Sequence, residues 1–487
     1  MNRIGSMLRF LVGAIALATC EAVSAQTASH PNVLFILTDD HRADAIAAYG
    51  NAHIDTPNID TLVRRGFNFR RNYCMGSPHG AVCIPSRAML LTGRAYTNIS
   101  LELDGVTTLP EHLRGLGYTT FITGKWHNEP RSLLRSFAQG KAIFFGGMSS
   151  HEEVPLADIS PEGTLVNARM EEKFSSEIFA DAAIDFLKNA PAGVPFYCYL
   201  PFTAPHDPRM PPEPYREKYY QKHPPLPPNF TSQHPFDNGR LITRDETLAP
   251  WPRTEKIVRD QIAEYYGLIE HLDTQIGRVL DTLAASPFAD NTYVVFAADH
   301  GIALGSHGLL GKQNIYEHSM RAPLLVAGPN VLHGETQSLT YLLDIVPTLC
   351  DALGVSALNP VDGYSLAPLW RREKSSVRDV IYLAYEDSQR AVVESQWKLI
   401  RYPLINYTQL FDLANDPYEM QNLADIPEYA DRVDALMERL THEQARYGDV
   451  APLTVEQPLP KQIDLSGTPR DPDPWQPEWI VKKYFAD

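Results

Sequence analysis

Cysteine is scarce in this chain of 487 residues, which contains only five. Four of them lie beyond residue 25 and are scattered: Cys74, Cys83, Cys198 and Cys350. An even number permits disulfides in an oxidising compartment, but four cysteines are a poor disulfide framework for so long a chain. The composition therefore excludes the small disulfide-rich class of proteins and leaves the pairing of Cys74, Cys198 and Cys350 open.

Long apolar runs are missing as well. The run at residues 10–18 is too short to span a bilayer, and no later segment is long and apolar enough. It follows Arg3 and Arg9 and precedes small residues, a pattern typical of a signal peptide. The short run disfavours a membrane anchor. The residue before Cys20, Thr19, disfavours a lipoprotein modified at Cys20. The sequence predicts a signal peptide over residues 1–25, a secreted or periplasmic protein, and no membrane contact after signal removal.

Positive charge is in short supply: 43 Lys and Arg oppose 59 Asp and Glu, for a net charge of −16. Such a surface repels nucleic acid and anionic membranes, so we expect no nucleic-acid partner. An anionic substrate would need a local basic pocket. Because 44% of the residues are hydrophobic, the chain has ample material for a large core.

The strand-like and helix-like segments alternate along the chain. Strands are predicted at 31–40, 117–128, 194–206, 291–301 and 321–329, and helices at 59–66, 108–117, 175–188, 256–285 and 339–354. This alternation predicts an α/β fold with a mostly parallel central sheet flanked by helices. Residues 204–253, rich in Pro, His and aromatic residues, read as a long irregular insertion.

The C-terminal part has a different pattern. From residue 377 the sequence predicts short antiparallel strands, a helix at 427–446 and a proline-rich tail that wraps the surface from residue 451. The predicted organisation is a signal peptide (1–25), a catalytic domain (26–376) and a smaller α+β unit with an antiparallel sheet and the tail (377–487).

Chemically active residues follow four predicted strands, and the carboxyl ends of strands in an open α/β sheet share one crevice. These residues are Asp39 and Asp40, Lys125 and His127, His206, and Asp299 and His300. Adjacent carboxylates repel each other unless a cation lies between them. Oxygen ligands without a Cys or His cluster favour calcium or magnesium, although paired Asp after a strand is also a common turn or helix cap.

A short segment combines a cysteine, a proline, a serine and an arginine: "CIPSRAMLLTGR", from Cys83 to Arg94. It resembles the C-x-P-S-R…T-G-R signature of the formylglycine-dependent (type I) sulfatases, a family of the alkaline-phosphatase-like superfamily. The stretches "LTDDHR", "GYTTFITGKWH", "TAPHDP" and "ADHGIALGSHGLLGKQNIYEHSMRAPL" extend the resemblance over nearly the whole mature chain.

The resemblance implies that a formylglycine-generating enzyme oxidises Cys83 to an aldehyde. One hydroxyl of the hydrated aldehyde would attack sulfur, and the other would lose its proton so that a carbonyl re-forms and sulfate leaves. Arg87 would hold the diol and a sulfate oxygen. By the same resemblance Lys125 clamps sulfate and His127 helps the diol to release it.

The family pattern also implies that His206 and Lys312 reach the bridging ester oxygen, with His206 as general acid. The implied metal ligands are Asp39, Asp40, Asp299, His300 and the modified Cys83. Many family members have Asn where this chain has His300, so the fourth ligand stays open. The expected cofactors are Ca²⁺, in preference to Mg²⁺, and formylglycine.

The substrate expected from this resemblance is a sulfated carbohydrate, such as a fragment of a glycosaminoglycan or of an algal polysaccharide like ulvan. The alternatives are a phosphomonoester or phosphonate hydrolase of the same superfamily and a non-catalytic protein that binds sulfated glycans. Further residues without an assigned role are His307, Glu317, His318 and Arg321. The substrate pocket could be lined by Arg131, Arg135, His151 and the part of the insertion from Asp207 to Asn238.

Overall fold

The computed structural model describes residues 30–465 and 471–485. The predicted signal peptide lies outside these residues. The strands are β1 (Asn32–Thr38), β2 (Phe67–Tyr73), β3 (Gly76–Ser77), β4 (Thr119–Lys125), β5 (Gln139–Phe144), β6 (Val154–Ile159), β7 (Leu165–Glu171), β8 (Phe196–Pro201), β9 (Thr292–Ala298), β10 (Leu324–Ala327), β11 (Gly334–Tyr341), β12 (Val380–Tyr385), β13 (Gln389–Glu394), β14 (Trp397–Tyr402) and β15 (Tyr407–Asp412).

The α-helices are α1 (Pro57–Arg65), α2 (Cys83–Thr92), α3 (Leu109–Gly115), α4 (Pro130–Ser136), α5 (Ser175–Asn189), α6 (Glu213–Lys222), α7 (Glu255–Ala284), α8 (Glu317–Met320), α9 (Ile345–Leu353), α10 (Ala367–Trp370), α11 (Ala430–Arg446) and α12 (Glu478–Phe485). Across the described ranges, no helix has both the length and the hydropathy required to cross a bilayer.

The central sheet has the strand order β11-β2-β10-β9-β1-β8-β4-β5-β6-β7. Its middle strands, β9, β1, β8, β4 and β5, are all parallel to one another. Strand β10 pairs antiparallel with β9 and β2, and β6 and β7 add an antiparallel edge. The predicted α/β fold with a mostly parallel sheet is confirmed.

Strand β1 is buried on both faces and divides two cores. Val33, Phe35 and Leu37 pack into the core that contains α2 and α9, whereas Leu34 and Ile36 pack into the core beneath α1, α5 and α7. Side chains of a strand alternate between faces, so a strand covered on both sides needs a continuous apolar sequence. This explains why "NVLFILT" has no polar residue between its first position, Asn32, and its last, Thr38.

The second sheet has the order β15-β14-β13-β12-β3. Strands β12 to β15 form an antiparallel meander, as predicted for the C-terminal part. The two-residue strand β3, just before α2, pairs parallel with β12 through Gly76 and Ala384. One buried core runs continuously from α2 into this sheet, so the two sheets pack as one body. The division at residue 376 stays a prediction.

Three local predictions differ from the structure. Residues 339–341 end β11, and helix α9 begins only at Ile345, because the strand pairs with β2. The insertion at 204–253 contains helix α6, and the tail contains α12. All four cysteines in the described residues are free and buried, so none forms a disulfide, and Cys74, Cys198 and Cys350 act as small apolar side chains.

Candidate active site

Four neighbouring parallel strands end at the site. In sheet order they are β9, β1, β8 and β4. The residues at or just past their carboxyl ends are Asp299 and His300, Asp39 and Asp40, His206, and Lys125 with His127. Backbone hydrogen bonds continue past the strands, from Asp299 N to Thr38 O (3.2 Å) and from Asp39 N to Ala204 O (3.2 Å). The sheet thus carries residues far apart in sequence to one edge.

Helix α2 brings Cys83 and Arg87 to this edge on one turn. Cys83 is its first residue, so the thiol lies at the positive end of the helix dipole. Ser86 Oγ donates to Asp299 O (2.6 Å) and fixes the helix on the end of β9. The helix stops at Gly93, whose φ of 70° suits glycine and whose N–H donates to Met89 O.

A distorted strand aims Lys125 and His127 into the site. Gly124 has φ 113°, and a Cβ there would lie 2.0 Å from Pro201 O. The pairing of β4 with β5 shifts register between Ile122 and Gly124. Such a bulge turns the following side chains away from their regular alternation, so "TGK" needs its glycine.

Arg87 and Lys125 are buried cations bound to buried carboxylates. Arg87 is 1% exposed; its Nε donates to Asp299 Oδ2 (3.1 Å), and its Nη2 lies 3.4 Å from Asp39 Oδ2. Lys125 Nζ donates to Asp39 Oδ2 and to Gly147 O (2.6 Å). Burial raises the pKa of Asp39, but Lys125 and Arg87 outweigh it and hold that pKa well below its usual range.

A cation site is formed by Asp39, Asp40, Asp299 and His300, whose ligand atoms lie within 4.8 Å of one another. All four residues are fully buried. Two potential ligand atoms, Asp39 Oδ1 and His300 Nε2, have no hydrogen-bond partner in the described chain. Burial, followed by repulsion from Asp39, raises the pKa of Asp299 to about 6. Buried like charges and unpartnered ligand atoms fit a hard divalent cation.

Cys83 lies beside this cluster and is 3% exposed. Its Sγ is 3.2 Å from His127 Nδ1, and it also lies within ligand distance of Asp39 and His300. Burial raises the pKa of the thiol, but Lys125 and His127 hold it well below its usual range. Burial and Lys125 lower the pKa of His127, which is half-buried and faces the opening. Cys83 and His127 thus place a candidate nucleophile next to a candidate base.

His206 and Lys312 form a second pair across the site. Lys312 Nζ donates to His206 Nε2 (2.8 Å) and to Asp40 Oδ1 (2.9 Å). His206 Nδ1 donates to the carbonyl of Asp207 (2.8 Å). Burial lowers the pKa of Lys312, but Asp40 and Asp245 outweigh it and raise that pKa well above its usual range, so Lys312 is a cation.

The structure brings the ten residues singled out for the site into one cluster. It also adds Arg244 and Asp245, which sequence analysis missed. Arg244 bridges Asp245 and Asp207, and sequence analysis placed Asp207 only in the segment that could line the substrate pocket. The Asp of "PHDP" next to His206 was the available signal for Asp207. Arg244 and Asp245 lie in the irregular insertion, where no periodic pattern marked them.

The remaining candidates have other positions. His151 is buried and its Nε2 contacts His206 O (3.0 Å), so it supports the backbone of the site. Arg135 donates a hydrogen bond to the backbone carbonyl of Leu103, and Arg131 is exposed. Glu317 pairs with Lys398 of the second sheet, away from the cluster. His307 stacks on Tyr316, His318 lies near both rings, and Arg321 is 3.9 Å from Glu317.

Comparison with known proteins identifies the family. The sequence profile of the family described as "Sulfatase" matches residues 31–355, a span that contains all ten site residues. The chain belongs to the sulfatase family. A second profile, "N-sulphoglucosamine sulphohydrolase, C-terminal", matches residues 305–446. As a member of this family, the sulfatase is a sulfuric ester hydrolase.

Individual relatives agree over most of the sulfatase. The arylsulfatase of Clostridium perfringens (strain 13 / Type A) is 30% identical over 462 residues, 85% of this chain and 94% of that protein. The N-acetylglucosamine-6-O-sulfatase of Bacteroides thetaiotaomicron is 28% identical and covers 92% of both chains. The solved structure of BT4656 in complex with its substrate D-glucosamine-2-N,6-O-disulfate shares the fold, with a TM-score of 0.73 at 24% identity, over 87% of this chain and 99% of that one.

Proposed function

We propose that this sulfatase hydrolyses sulfate monoesters of carbohydrates, with formylglycine made from Cys83 as its nucleophile. The observation that carries the proposal is the contact of Cys83 Sγ with His127 Nδ1 at 3.2 Å, beside the cation site. Relatives that act on N-acetylglucosamine 6-O-sulfate and on ulvan support a sugar substrate from glycosaminoglycans or algal polysaccharides.

Maturation requires a partner, a formylglycine-generating enzyme that replaces the sulfur and two hydrogens of Cys83 with a carbonyl oxygen. When hydrated, formylglycine supplies one hydroxyl that attacks sulfur and a second whose deprotonation expels sulfate. We propose that the conversion of Cys83 to formylglycine takes place during export, with residues 1–25 as the signal peptide. The mature enzyme is then secreted or periplasmic.

Three buried cations hold the sulfate group. Lys125, Lys312 and Arg87 are all buried at the site and give it a local positive charge, although the overall charge of −16 disfavours an anion. The charges act in a site from which water is largely excluded, so each interacts more strongly with sulfate than it would on the surface. Arg87 also fixes Asp39 and Asp299, which keeps the site rigid.

Two histidines move protons. His127 has a lowered pKa and is therefore neutral at pH 7, as a base that removes a proton from the hydroxyl on the Cys83 carbon must be. On the other side of the cavity, the pair of His206 and Lys312 donates a proton to the bridging oxygen, so that the sugar leaves as an alcohol. The two acid–base groups thus flank the sulfate.

We propose Ca²⁺ as the bound metal, with Asp39, Asp40, Asp299 and His300 as its protein ligands. Three carboxylates suit calcium, and the ion would polarise the sulfate ester as a Lewis acid. The neutral form of His300 is the ligand. Burial lowers the pKa of His300, but Asp299 outweighs it and raises that pKa to about 9, so metal binding at pH 7 releases a proton.

The decisive experiment is mass spectrometry of the tryptic peptide that ends at Arg87, from protein co-expressed with a formylglycine-generating enzyme. We expect a loss of about 18 mass units at Cys83, together with hydrolysis of 4-nitrophenyl sulfate far faster than of 4-nitrophenyl phosphate. Cys83→Ala is the matched control, which should fold but not turn over. An unmodified thiol in active enzyme would overturn the nucleophile, and a preference for phosphate would overturn the substrate class.

A further inference from the structure

Trp475 differs from the other five tryptophans of the chain. Two of those five, Trp126 and Trp370, are each only 1% exposed. The other three are half-buried and contact a ring or a cation: Trp397 contacts Tyr429, Trp251 lies under Arg253, and Trp479 lies under Arg216. Trp475 is 55% exposed, and no ring or cation of the described residues stacks on it. Burial of so large an apolar ring by a ligand would be favourable in water.

The turn that presents Trp475 is rigid. Pro474 and Pro477 flank the segment and restrict its backbone. Asp473 Oδ1 accepts from Trp475 N (3.0 Å), and Asp473 O accepts from Gln476 N (3.0 Å). Helix α12, which follows, is anchored by Tyr484 OH on Glu264 (2.9 Å). The indole therefore needs little ordering when a ligand binds.

Hydrogen bonds connect this turn to Arg244 and Asp207, next to the candidate active site. Asp473 accepts two hydrogen bonds from Arg244, at 2.8 and 3.0 Å. Arg244 in turn donates two hydrogen bonds to Asp207, at 2.9 and 2.7 Å. Gln476 Nε2 also donates to Asp207 Oδ2 (3.3 Å), and Asp207 Oδ1 lies 3.3 Å from His206 Nδ1. The turn that carries Trp475 is thus bonded to Asp207, the residue that follows His206.

Arg244 also contacts the loop on the Lys125 side of the site. Arg244 Nη2 contacts Met148 Sδ, in the loop whose Gly147 carbonyl accepts from Lys125. Arg244 therefore ties the C-terminal turn to the two loops that flank His206 and Lys125. Residues 473–476 therefore border the site on the side of His206.

We propose that Trp475 is the platform of a second sugar subsite, on which the residue next to the sulfated sugar stacks. This inference rests on the carbohydrate substrate proposed above. The C–H face of a pyranose is weakly electropositive and packs on the electron-rich face of an indole, without need for charge. Such a platform suits an acidic protein, because it binds a neutral part of an otherwise anionic glycan.

The test compares kcat/KM for sulfated disaccharides with kcat/KM for 4-nitrophenyl sulfate, which has no second sugar. The disaccharide that the wild type hydrolyses best, from heparin, chondroitin and ulvan digests, serves as the probe. We expect Trp475→Ala to lower the ratio of the two values by about fivefold to tenfold, and Trp475→Phe to restore most of it. Trp479→Ala, in the same segment but under Arg216, should keep the wild-type ratio.

Binding supplies a second readout that does not depend on turnover. In the Cys83→Ala protein, the chosen disaccharide should change the tryptophan fluorescence, and Trp475→Phe should remove that change. An unchanged ratio in Trp475→Ala would overturn the subsite and leave the sulfatase activity standing. If the wild type cleaves the aryl sulfate but no sulfated sugar, the proposed substrate class falls and the subsite with it.

Discussion

Lys312 Nζ donates a hydrogen bond to His206 Nε2 at 2.8 Å. Since Nδ1 of the same ring donates to the Asp207 carbonyl, His206 holds its proton on Nδ1 and accepts on Nε2. In the proposed mechanism, the cation Lys312 is therefore the immediate proton source for the bridging oxygen. We expect His206 and Lys312 to act as one acid, so that substitution of either residue removes it.

Loss of this acid should depend on the leaving group. A sugar alkoxide needs a proton to leave, whereas 4-nitrophenolate leaves readily without one. We expect His206→Ala and Lys312→Ala to lower kcat/KM on a sugar sulfate by about 10² to 10⁴, and to lower it much less on 4-nitrophenyl sulfate. Steady-state kinetics on both esters measure this, with the exposed His333→Ala as control. Equal losses on both esters would contradict proton donation to the leaving group.

Metal content should follow the acidic cluster. Asp299→Asn removes one charge from a cluster in which Asp39 and Asp299 already repel each other. We expect wild-type protein dialysed against calcium to hold about one equivalent, and Asp299→Asn to lose both metal and activity. Elemental analysis beside an activity assay decides it, with the exposed Asp290→Asn as control. A chelator should inactivate the wild type, and added calcium should restore it; full activity without metal is the contrary result.

The bulge at Gly124 should be intolerant of a side chain. Gly124→Ala adds a Cβ at 2.0 Å from Pro201 O, so the backbone must shift and carry Lys125 with it. Gly117→Ala is the matched control, because Gly117 also has positive φ (90°) but open space around it, and should cost only about 1–2 kcal/mol. We expect Gly124→Ala to lose more unfolding free energy and most of kcat. Similar urea unfolding curves for the two variants would refute the close contact.

Stability should fall on acidification because several histidines of the described chain, among them His151, His234 and His307, are buried in neutral form. Burial lowers the pKa of His151 and His234 to about 4 and that of His307 to about 3. Unfolded chains bind these protons near pH 6.5, so the stability is complete above that pH and is lost as the pH falls toward 4. We expect a loss of about 1.4 kcal/mol per pH unit for each histidine in this window.

The slope of unfolding free energy against pH measures this loss. His234→Gln should lower the slope by the contribution of one histidine, about 1.4 kcal/mol per pH unit. The substitution should also cost some stability, because the His234 ring packs on Phe236. His53→Gln, at an exposed position, serves as the control. A slope that does not change in His234→Gln would mean that another group takes up the proton.

Local pattern was sufficient for much of the fold. Continuous apolar runs predicted β1, β8 and β9, because strands buried on both faces have no polar positions to interrupt them. Glycine after an apolar periodic segment marked the end of α9 at Gly354 correctly. Its start was wrong, because residues 339–341 pair with β2, more than 260 residues earlier, and no local pattern reports such a pairing.

The sequence by itself determined the family and the ten residues of the candidate site, because the motif segments and the polar ends of strands are local features. Only the tertiary structure decided which distant groups complete it. Asp207, Arg244 and Asp473 meet through hydrogen bonds that span up to 229 residues of chain, and these bonds hold the turn with Trp475 next to the site. Such contacts depend on the packing of segments with no periodicity, and burial of paired charges, rather than propensity, holds them in place.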